Sequence, residues 1–590
     1  MSSEESGQSK WVGIGIALCL IGAGVAAFLN EPRDPAYDPQ TAAEGLPRRV
    51  AKLLSEHTAT RQVGPAPEGP IYLTVRRDGH RLAETWQDGD NWRAQVATAL
   101  ERLRADDASL DEQADTVVIC LPYGYEPLRL RRKRQPLSNI YRGARGLELQ
   151  QGRTTVRHCP TEMLARNVSS ERLVDDFRKA QELSEDEFYE QASARSFEAH
   201  QLLVKLGDKP VVHRMLRGNT LVEMKDVNRA GVEGLAKAMT DWMVNSLQPD
   251  GRMVYRYFPS RGDESRGNNM IRQYMASVCL VRLGNYHNDP KLAEMAERNL
   301  RYNFNHFFFR DGDIGLITFR NKSKLGAAAL AALGVVEAPF REKLAEYELP
   351  LRAMTRHMQN ADGSFQTFYK QERRDNQNFY PGETQLLWAV LYEQTGDPEI
   401  LERIMRSFHY YRTWHLEGKS ERGRPNRNPA FIPWHTQALV KVWMKTQDPK
   451  LAEFVFEMND WLLGVQEWDG ARYPDSRGRF YDGNRPFGPP HASSTGVYLE
   501  GLIDAYRMAV ALGDEERRHS YRRSILRGLR SLMQLQYRDD ADMFYISKRE
   551  AVYGGIRTTL YDNSIRVDNV QHGLMGILRI LETFNAEGPW

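Results

Sequence analysis

Residues 382–414 read GETQLLWAVLYEQTGDPEILERIMRSFHYYRTW. Apolar residues recur at the i, i+3, i+4 and i+7 spacing on both sides of Gly396-Asp397-Pro398, and this spacing is typical of amphipathic helices. Glycine commonly ends a helix, whereas Asp-Pro begins one, because Asp caps free N–H groups and proline is tolerated in the first turn. The stretch therefore predicts two helices joined by a tight turn.

The same hairpin recurs through the C-terminal part of the chain. We number the twelve predicted helices of this part in chain order. The other even-numbered helices also end at Asp-Pro or Gly-Asp, as at 289–290 and 513–514. Most odd-numbered helices end in a turn such as QPDG, followed by a short aromatic segment that we predict to be a strand. These segments are 253–258, 314–319, 364–369, 471–474 and 543–546. The twelve predicted helices are 228–247, 268–286, 290–308, 323–335, 341–358, 382–395, 398–414, 433–446, 449–466, 492–512, 514–536 and 565–585.

Long connections thus alternate with tight ones. This alternation is expected when helical hairpins stack side by side and their long loops emerge on one face. Six hairpins over residues 223–590 predict a mainly α protein with a C-terminal (α/α)6 toroid, in which the even helices form the inner ring. An open helical solenoid is the alternative, because periodicity does not fix closure.

The N-terminal 68 residues contain a candidate membrane segment. Residues 11–29 carry no charge, and a helix of that length spans about 28 Å, close to the hydrocarbon thickness of a bilayer. We therefore predict a short tail at 1–10, a single-pass transmembrane anchor at 11–29 and a linker at 30–68 around a short basic helix. The protein is expected in a membrane, with the bulk of the chain on the extracytoplasmic side. A cleaved signal peptide is the alternative.

Residues 69–222 mix short alternating runs with helical patterns and predict a smaller α/β domain. Within it, GARGLELQQGRTTVRHCPTEMLARN at 143–167 resembles the end of the AMMECR-like domain family. In that family a glycine-led hairpin carries a proline-containing loop into a helix, and the resemblance assigns no functional residue here. The basic run at 129–134 predicts a solvated loop, with lipid head groups or an anionic polymer as the alternative contact.

Charge and cysteine usage exclude several classes. Lys and Arg number 80 against 78 Asp and Glu, a formal net charge of +2, so nucleic acid is not a predicted partner. The four cysteines lie far apart in sequence without a CxxC or Cys/His cluster. We predict neither a metal nor a cofactor. P-loop, HExxH and GxSxG motifs do not occur, which disfavours nucleotide, zincin and serine-hydrolase chemistry.

The candidate site consists of polar and aromatic residues at the start of the inner helices, in the strand after the first helix and in the loop before the twelfth. These helices begin at one end of the predicted toroid, where their first turns offer free N–H groups and a partial positive charge. We interpret Asn268, Ser493 and Ser564 as helix caps. The candidate catalytic residues are Glu383, Asp568, His435, His491 and Tyr255. The candidate substrate-binding residues are Arg272, Gln273, Asn269, Lys324, Trp434, Gln437, Arg557, Arg566, Gln571 and Tyr257.

Aromatic platforms beside amides and carboxylates suit sugar rings, whose C–H faces stack on aromatics while their hydroxyls take hydrogen bonds. The arginines favour a uronate, since a guanidinium grips a carboxylate through two hydrogen bonds. Glu383 and Asp568 form a candidate carboxylate pair for glycoside hydrolysis. Tyr255, His435 or His491 would instead abstract a proton from a uronate.

The C-terminal part resembles the toroid family of glycan-processing enzymes, particularly the C-terminal domain of glucuronyl epimerases and, more loosely, glycuronyl hydrolases and polysaccharide lyases. The resemblance rests on DGRMVYRYFP at 250–259, NNMIRQ at 268–273, GETQLLWAVLYEQTGDP at 382–398 and GGIRTTLYDNSIRVDNVQHGL at 554–574. It implies a carbohydrate-active enzyme, with hydrolase, lyase and epimerase left open, and a polysaccharide or oligosaccharide as partner. The alternatives are a non-catalytic glycan-binding or assembly protein of the cell envelope, and chemistry located in the α/β domain.

Overall fold

The computed structural model describes residues 45–57, 60, 66–131, 135–207, 209–373, 375–484, 487–588 and 590. The predicted tail at 1–10 and the predicted transmembrane anchor at 11–29 lie outside these residues. In the described ranges, no helix is both long enough and apolar enough to cross a membrane.

An antiparallel sheet occupies the first part of the described chain. Its order is β2-β1-β3-β6-β4-β5, with β7 also paired to β6. The strands are β1 (Ile71–Arg77), β2 (His80–Gln87), β3 (Thr116–Leu128), β4 (Arg145–Gln151), β5 (Thr154–His158), β6 (Ser193–Lys205) and β7 (Val211–Met215). The accompanying helices are α1 (Leu46–Glu56), α2 (Trp92–Asp106), α3 (Leu110–Gln113), α4 (Pro160–Ala165), α5 (Ser170–Ala180) and α6 (Glu185–Gln191).

Helix α1 lies within the predicted linker at 30–68, of which the structure describes residues 45–57, 60 and 66–68. Leu46, Val50 and Leu54 on α1 are buried in the same apolar cluster as Leu73 of β1. Apolar residues at i, i+4 and i+8 share one helix face, and here that face packs onto the sheet unit. Residues 46–56 therefore belong to the folded body and do not act as a free tether.

All twelve predicted C-terminal helices are present, each beginning and ending within four residues of its predicted bounds. The outer helices are α7 (Arg229–Asn245), α9 (Pro290–Phe307), α11 (Ala345–His357), α13 (Pro398–Leu416), α15 (Pro449–Leu463) and α17 (Glu515–Leu535). The inner helices are α8 (Met270–His287), α10 (Leu325–Val336), α12 (Tyr380–Thr395), α14 (Ile432–Thr446), α16 (Ala492–Ala511) and α18 (Val567–Glu587).

The tight turns have the predicted chemistry. Asp397 caps α13 by accepting a hydrogen bond from the Glu399 N–H, and Gly396 adopts a left-handed conformation with φ of 67° at the end of α12. Asp289 and Asp448 cap α9 and α15 in the same way, each followed by proline. These caps satisfy N–H groups that the helix itself leaves free.

Two of the five predicted aromatic strands form. Segment 314–319 is β11 (Ile314–Phe319), and segment 253–258 contains β8 (Arg256–Phe258). Segment 364–369 makes only isolated bridges, segment 471–474 is a bend that leads into a short 3-10 helix, and segment 543–546 is mostly turn. A strand needs a partner over several residues, which these three segments lack. The other short strands are β9 (Asp263–Glu264), β10 (Phe308–Asp311), β12 (Lys322–Ser323), β13 (Arg557–Thr559) and β14 (Asp562–Arg566).

The inner ring is closed. Each inner helix packs against the next, from α8 through α10, α12, α14 and α16 to α18, and α18 packs back against α8. Glycines permit close approaches between neighbours: a Cβ at Gly501 would lie 2.6 Å from Pro433 Cα, and one at Gly496 would lie 2.5 Å from the Gly573 nitrogen. The predicted (α/α)6 toroid is therefore confirmed, and the open solenoid is excluded.

Buried polar contacts join the sheet unit to the toroid. Arg217 pairs with Asp475 at 2.8 Å, and both side chains are at most 4% exposed. Asn563 donates to the carbonyl of Leu164 at 2.9 Å, and Asn219 donates to the carbonyl of Gln534 at 2.8 Å. The core of the toroid also extends to Leu203 of the sheet. The two parts therefore share one interface, which contains a buried ion pair and buried hydrogen bonds.

Replacing Gly496 by Ala tests ring closure. The added methyl group has no room beside the Gly573 backbone, and overpacking of this kind costs about 1–3 kcal/mol. We expect a lower melting temperature in a thermal unfolding experiment.

The matched control is Gly234→Ala on α7, where a Cβ meets nothing within 4 Å. Alanine favours helix over glycine by about 1 kcal/mol, so this variant should melt at the same temperature or higher. Equal destabilisation by both variants would contradict the tight α16–α18 contact.

Candidate active site at the mouth of the toroid

The end of the toroid at which the inner helices begin is called the mouth. Candidate residues from five inner helices lie there because each occupies the first turn or the residue preceding it: Arg272 on α8, Lys324 before α10, Glu383 on α12, His491 before α16 and Asp568 on α18. Strand β14 leads directly into α18, and its partner β8 follows Tyr255. The fold thus gathers side chains from across the C-terminal part of the sequence.

Asp568 is the centre of a cluster of ion pairs. Its carboxylate accepts a hydrogen bond from Arg272 Nε at 2.6 Å and another from an Arg566 terminal nitrogen at 2.8 Å. Arg272 also donates to the Tyr255 hydroxyl at 3.0 Å. Burial raises the pKa of the Asp568 carboxyl, but the two guanidinium groups outweigh it and hold that pKa well below its usual range. Asp568 is therefore an ionised carboxylate that orients two arginines.

Glu383 has the opposite environment. Its side chain is buried, and within the described residues its Oε2 atom has no hydrogen-bond partner. The carboxyl lies against Gly326, where a Cβ would approach Oε2 to 1.9 Å. Burial raises the pKa of Glu383 to about 8, and the positive charge of Lys324 lowers it only in part. Glu383 is therefore mostly protonated at neutral pH.

His491 is neutral at the same pH. Burial lowers the pKa of its imidazole to about 4, and the neighbouring Arg566 lowers it further. The residue as a whole is only partly buried. The first turns at the mouth thus carry a protonated carboxyl group, which is fully buried, and an unprotonated imidazole.

The Asp568 cluster, with two arginines and one carboxylate, carries a net positive charge. Two guanidinium groups, Arg272 and Arg566, face the single carboxylate of Asp568, while Glu383 is mostly neutral. Burial lowers the pKa of Lys324, and the nearby positive charge of Arg272 lowers it further. Arg272 keeps 30% of its side chain exposed. An anion entering the mouth would therefore meet a partly free guanidinium.

His572 and Glu500 form a pair near the mouth. Nδ1 of His572 lies 2.7 Å from Oε1 of Glu500, and the indole of Trp434 meets the imidazole edge-to-face at 5.7 Å. Glu500 was not among the predicted site residues. The sequence does carry a signal for Glu500, because its carboxylate interrupts the apolar pattern of α16. A charge buried in this way is rarely unpaired and therefore indicates a partner. Gln571 lies fully buried beside His572, and neither of its amide atoms has a partner in the described structure.

Several predicted site residues do not reach the mouth. His435 is buried and stacked on Phe431 at 3.7 Å. Gln437 donates to the carbonyl of Pro433 in its own helix. Arg557 is 1% exposed and directs its guanidinium to the carbonyls of Arg217, Gly218 and Asp542. The structure therefore places Arg557 at the junction with the sheet unit, where it helps to hold the two parts together.

Three further predicted residues have local roles. Asn269 accepts a hydrogen bond from the Ile271 N–H and is the cap of α8. Gln273 is buried and donates to the Met253 carbonyl. Tyr257 lines a cavity of about 320 Å³ with Asp263 and Ala551, separate from the Asp568 cluster.

The capping interpretation was wrong for all three residues. Asn269, one residue later than predicted, caps α8, while Asn268 accepts from the Gln273 side chain. Ser493 lies inside α16, and Ser564 lies in β14. A cap residue has a specific backbone conformation at the helix boundary, and sequence places such boundaries only to within a few residues.

Comparisons with known proteins found no matching family model and no matching curated protein. Among solved structures, an unsaturated glucuronyl hydrolase from Streptococcus agalactiae is 14% identical, with a TM-score of 0.44 over 60% of this chain and 92% of that one. A D-mannose isomerase is 11% identical, with a TM-score of 0.47 over 60% and 98%. A family 76 glycoside hydrolase from a bovine Bacteroides thetaiotaomicron strain is 11% identical, with a TM-score of 0.45 over 80% and 97%. At these values the similarities say nothing about the reaction of this chain.

The protonation of Glu383 predicts a pH dependence of stability. A carboxyl whose pKa is raised on folding stabilises the native state below its unfolded pKa, and this contribution is lost as pH rises through the folded value of about 8. We expect the wild-type free energy of unfolding to contain a component that falls between about pH 5 and 8, by at most about 1.4 kcal/mol per pH unit, and the melting temperature to fall with it.

Glu383→Gln should remove that component, because glutamine mimics the neutral acid at every pH. Glu393→Gln, at a side chain that is 43% exposed, is the matched control and should keep the wild-type profile. The same pH profile in Glu383→Gln and wild type would refute the buried, protonated carboxyl.

Proposed function

We propose that this chain is an enzyme that processes an anionic, uronate-containing polysaccharide by acid–base chemistry at the mouth of the toroid. The observation that carries the proposal is the arrangement of protonated Glu383 and neutral His491 around the Arg272–Asp568–Arg566 cluster. A donor and an acceptor of protons on separate helices are what such chemistry requires.

The arginines support an anionic substrate. Asp568 accepts hydrogen bonds from only some of the N–H groups of each guanidinium, and Arg272 remains partly exposed. A uronate carboxylate can take the free N–H groups in a charge-assisted pair. In this proposal Asp568 fixes the two cations and does not itself exchange a proton, because it stays ionised over the physiological pH range.

The acid and base are assigned from their environments. Glu383 is the proton donor, since its raised pKa keeps it protonated near neutral pH. His491 is the proton acceptor, since its imidazole is neutral and the residue is only partly buried. Tyr255, bonded to Arg272, lies in the same cluster and orients the guanidinium. The reaction class, whether hydrolase, lyase or epimerase, is left to the experiment below.

A panel of acidic and neutral polysaccharides tests the activity. New reducing ends would identify a hydrolase, absorbance of unsaturated products a lyase, and deuterium uptake from solvent without cleavage an epimerase. We expect turnover of an acidic member only. Glu383→Gln should abolish that turnover while changing substrate affinity little, because glutamine retains the shape of the acid.

Arg272→Met provides the complementary variant. It should weaken binding of the acidic substrate by about tenfold or more, since the substrate carboxylate then loses its charge-assisted hydrogen bonds to the guanidinium. Arg320→Met, outside the Asp568 cluster, is the control. Binding without turnover of any panel member, unchanged in Glu383→Gln, would favour a glycan-binding or assembly protein over an enzyme.

We also propose that residues 11–29 anchor the protein in a membrane, with the described part on the extracytoplasmic side. The support is the uncharged run itself. Replacing Leu18 and Ile21 by Lys should release the protein from washed membranes, because each central charge costs about 2.5–3.5 kcal/mol. Two lysines placed within residues 1–10 are the control. Recovery of the wild-type chain in the soluble fraction, or a mature mass lacking these residues, would contradict the anchor.

A further inference from the structure

Four partly exposed side chains form a continuous surface across the junction of the sheet unit and the toroid. We call Tyr123, Tyr141, Arg472 and Tyr473 the tyrosine–arginine strip. Tyr123 lies on β3 and Tyr141 in the turn before β4, while Arg472 and Tyr473 lie in the toroid loop between α15 and α16. The strip is therefore built by both parts of the protein, and neither part presents it alone.

Within the strip, Arg472 lies beside two aromatic rings. Its guanidinium carbon is 5.2 Å from the centre of the Tyr141 ring and 5.7 Å from the centre of the Tyr473 ring. A terminal nitrogen of Arg472 also donates to the Tyr141 hydroxyl at 3.4 Å. The arginine nevertheless keeps 55% of its side chain exposed. It is an ordered cation that still faces solvent, and one of its terminal nitrogens lies 3.8 Å from a carboxylate oxygen of Glu198.

Buried side chains pack against two of the rings and fix their positions. Buried Arg217 places its guanidinium 4.6 Å from the centre of the Tyr473 ring, and Tyr123 stacks on buried His200 at 4.5 Å. Both tyrosines remain partly exposed on the surface. Their hydroxyls point to one shared acceptor, the carboxylate of Glu198, at 3.5 Å for Tyr473 and 3.2 Å for Tyr123. The rings are thus fixed before any ligand arrives.

The strip connects to the mouth through Asp562. This carboxylate accepts a hydrogen bond from Asn167 at 3.0 Å, and Asn167 in turn accepts one from Arg142, the neighbour of Tyr141, at 2.6 Å. On the other side, Asp562 begins β14, the strand that leads through Arg566 into α18 at the mouth. Hydrogen bonds therefore link β14, the strand that leads into the mouth, to the residue next to Tyr141.

The junction does not need the strip for its stability. Buried contacts already hold it, including the Arg217–Asp475 pair and the Asn563 and Asn219 hydrogen bonds. Exposed ion pairs add only about 0–1 kcal/mol. Ordered tyrosines with an exposed arginine between them match instead what an acidic sugar chain requires: flat apolar faces for the rings and a cation for the carboxylate.

We infer that the tyrosine–arginine strip binds a distant segment of an anionic polysaccharide whose reacting unit lies at the mouth. This inference rests on the proposed function and extends it, because it makes the substrate a chain of several units. The sheet unit then contributes directly to substrate binding.

Oligosaccharides of two lengths test the inference in the full-length protein. The probes are oligogalacturonates and hyaluronan oligosaccharides of about four and about twelve units, with affinities measured by isothermal titration calorimetry. We expect wild type to bind the long member of one series at least about tenfold more tightly than the short one. Arg472→Ala and Tyr473→Ala should each remove most of that gain and leave the affinity for the short member unchanged.

Tyr286→Ala is the matched control, because Tyr286 is 42% exposed near the far end of α8, and it should behave as wild type. Arg472→Gln removes only the exposed guanidinium and should leave the fold intact. It therefore tests the strip even if Tyr473→Ala does not fold. Equal affinity of wild type for short and long members would refute binding by the strip, but it would not contradict the function proposed for the mouth. Absence of binding by both lengths in both series would overturn the proposed function and the inference with it.

Discussion

The ion pair between Arg272 and Asp568 joins the first inner helix of the toroid to the last. The two residues are separated by 296 positions and meet only because α18 packs against α8. Tyr255, Arg566 and His491 are arranged around this pair. Closure of the ring and assembly of the candidate site are therefore the same structural event, and a defect in one would disturb the other.

Two carboxylates of the same ring are held in opposite states. Asp568 has two guanidinium partners, whereas Glu383 is buried and has only the more distant Lys324 as a nearby cation. The difference follows from the balance between desolvation, which favours the neutral acid, and nearby positive charge, which favours the carboxylate. A fold can in this way supply a permanent anion and a proton donor from two ordinary acidic residues.

The helices and most of the mouth could be predicted from the sequence because their signals are local. Apolar periodicity and the Asp-Pro turns gave the twelve helices, and the first turns of the inner helices pointed to Arg272, Lys324, Glu383, His491 and Asp568. His435 and Arg557 were misjudged because a residue at a helix start or in a rim loop can also turn toward the packed interior. Glu500 was missed because its partner, His572, lies on another helix.

The sequence by itself determined which segments are helical and where hairpins begin and end, because caps and side-chain periodicity act over a few residues. Only the tertiary structure decided that the ring closes, that Glu383 is protonated while Asp568 is not, and that the sheet unit adds Tyr123 and Tyr141 to the same surface as Arg472. These properties depend on burial and on charges brought together from distant parts of the chain, and no local pattern in the sequence records either.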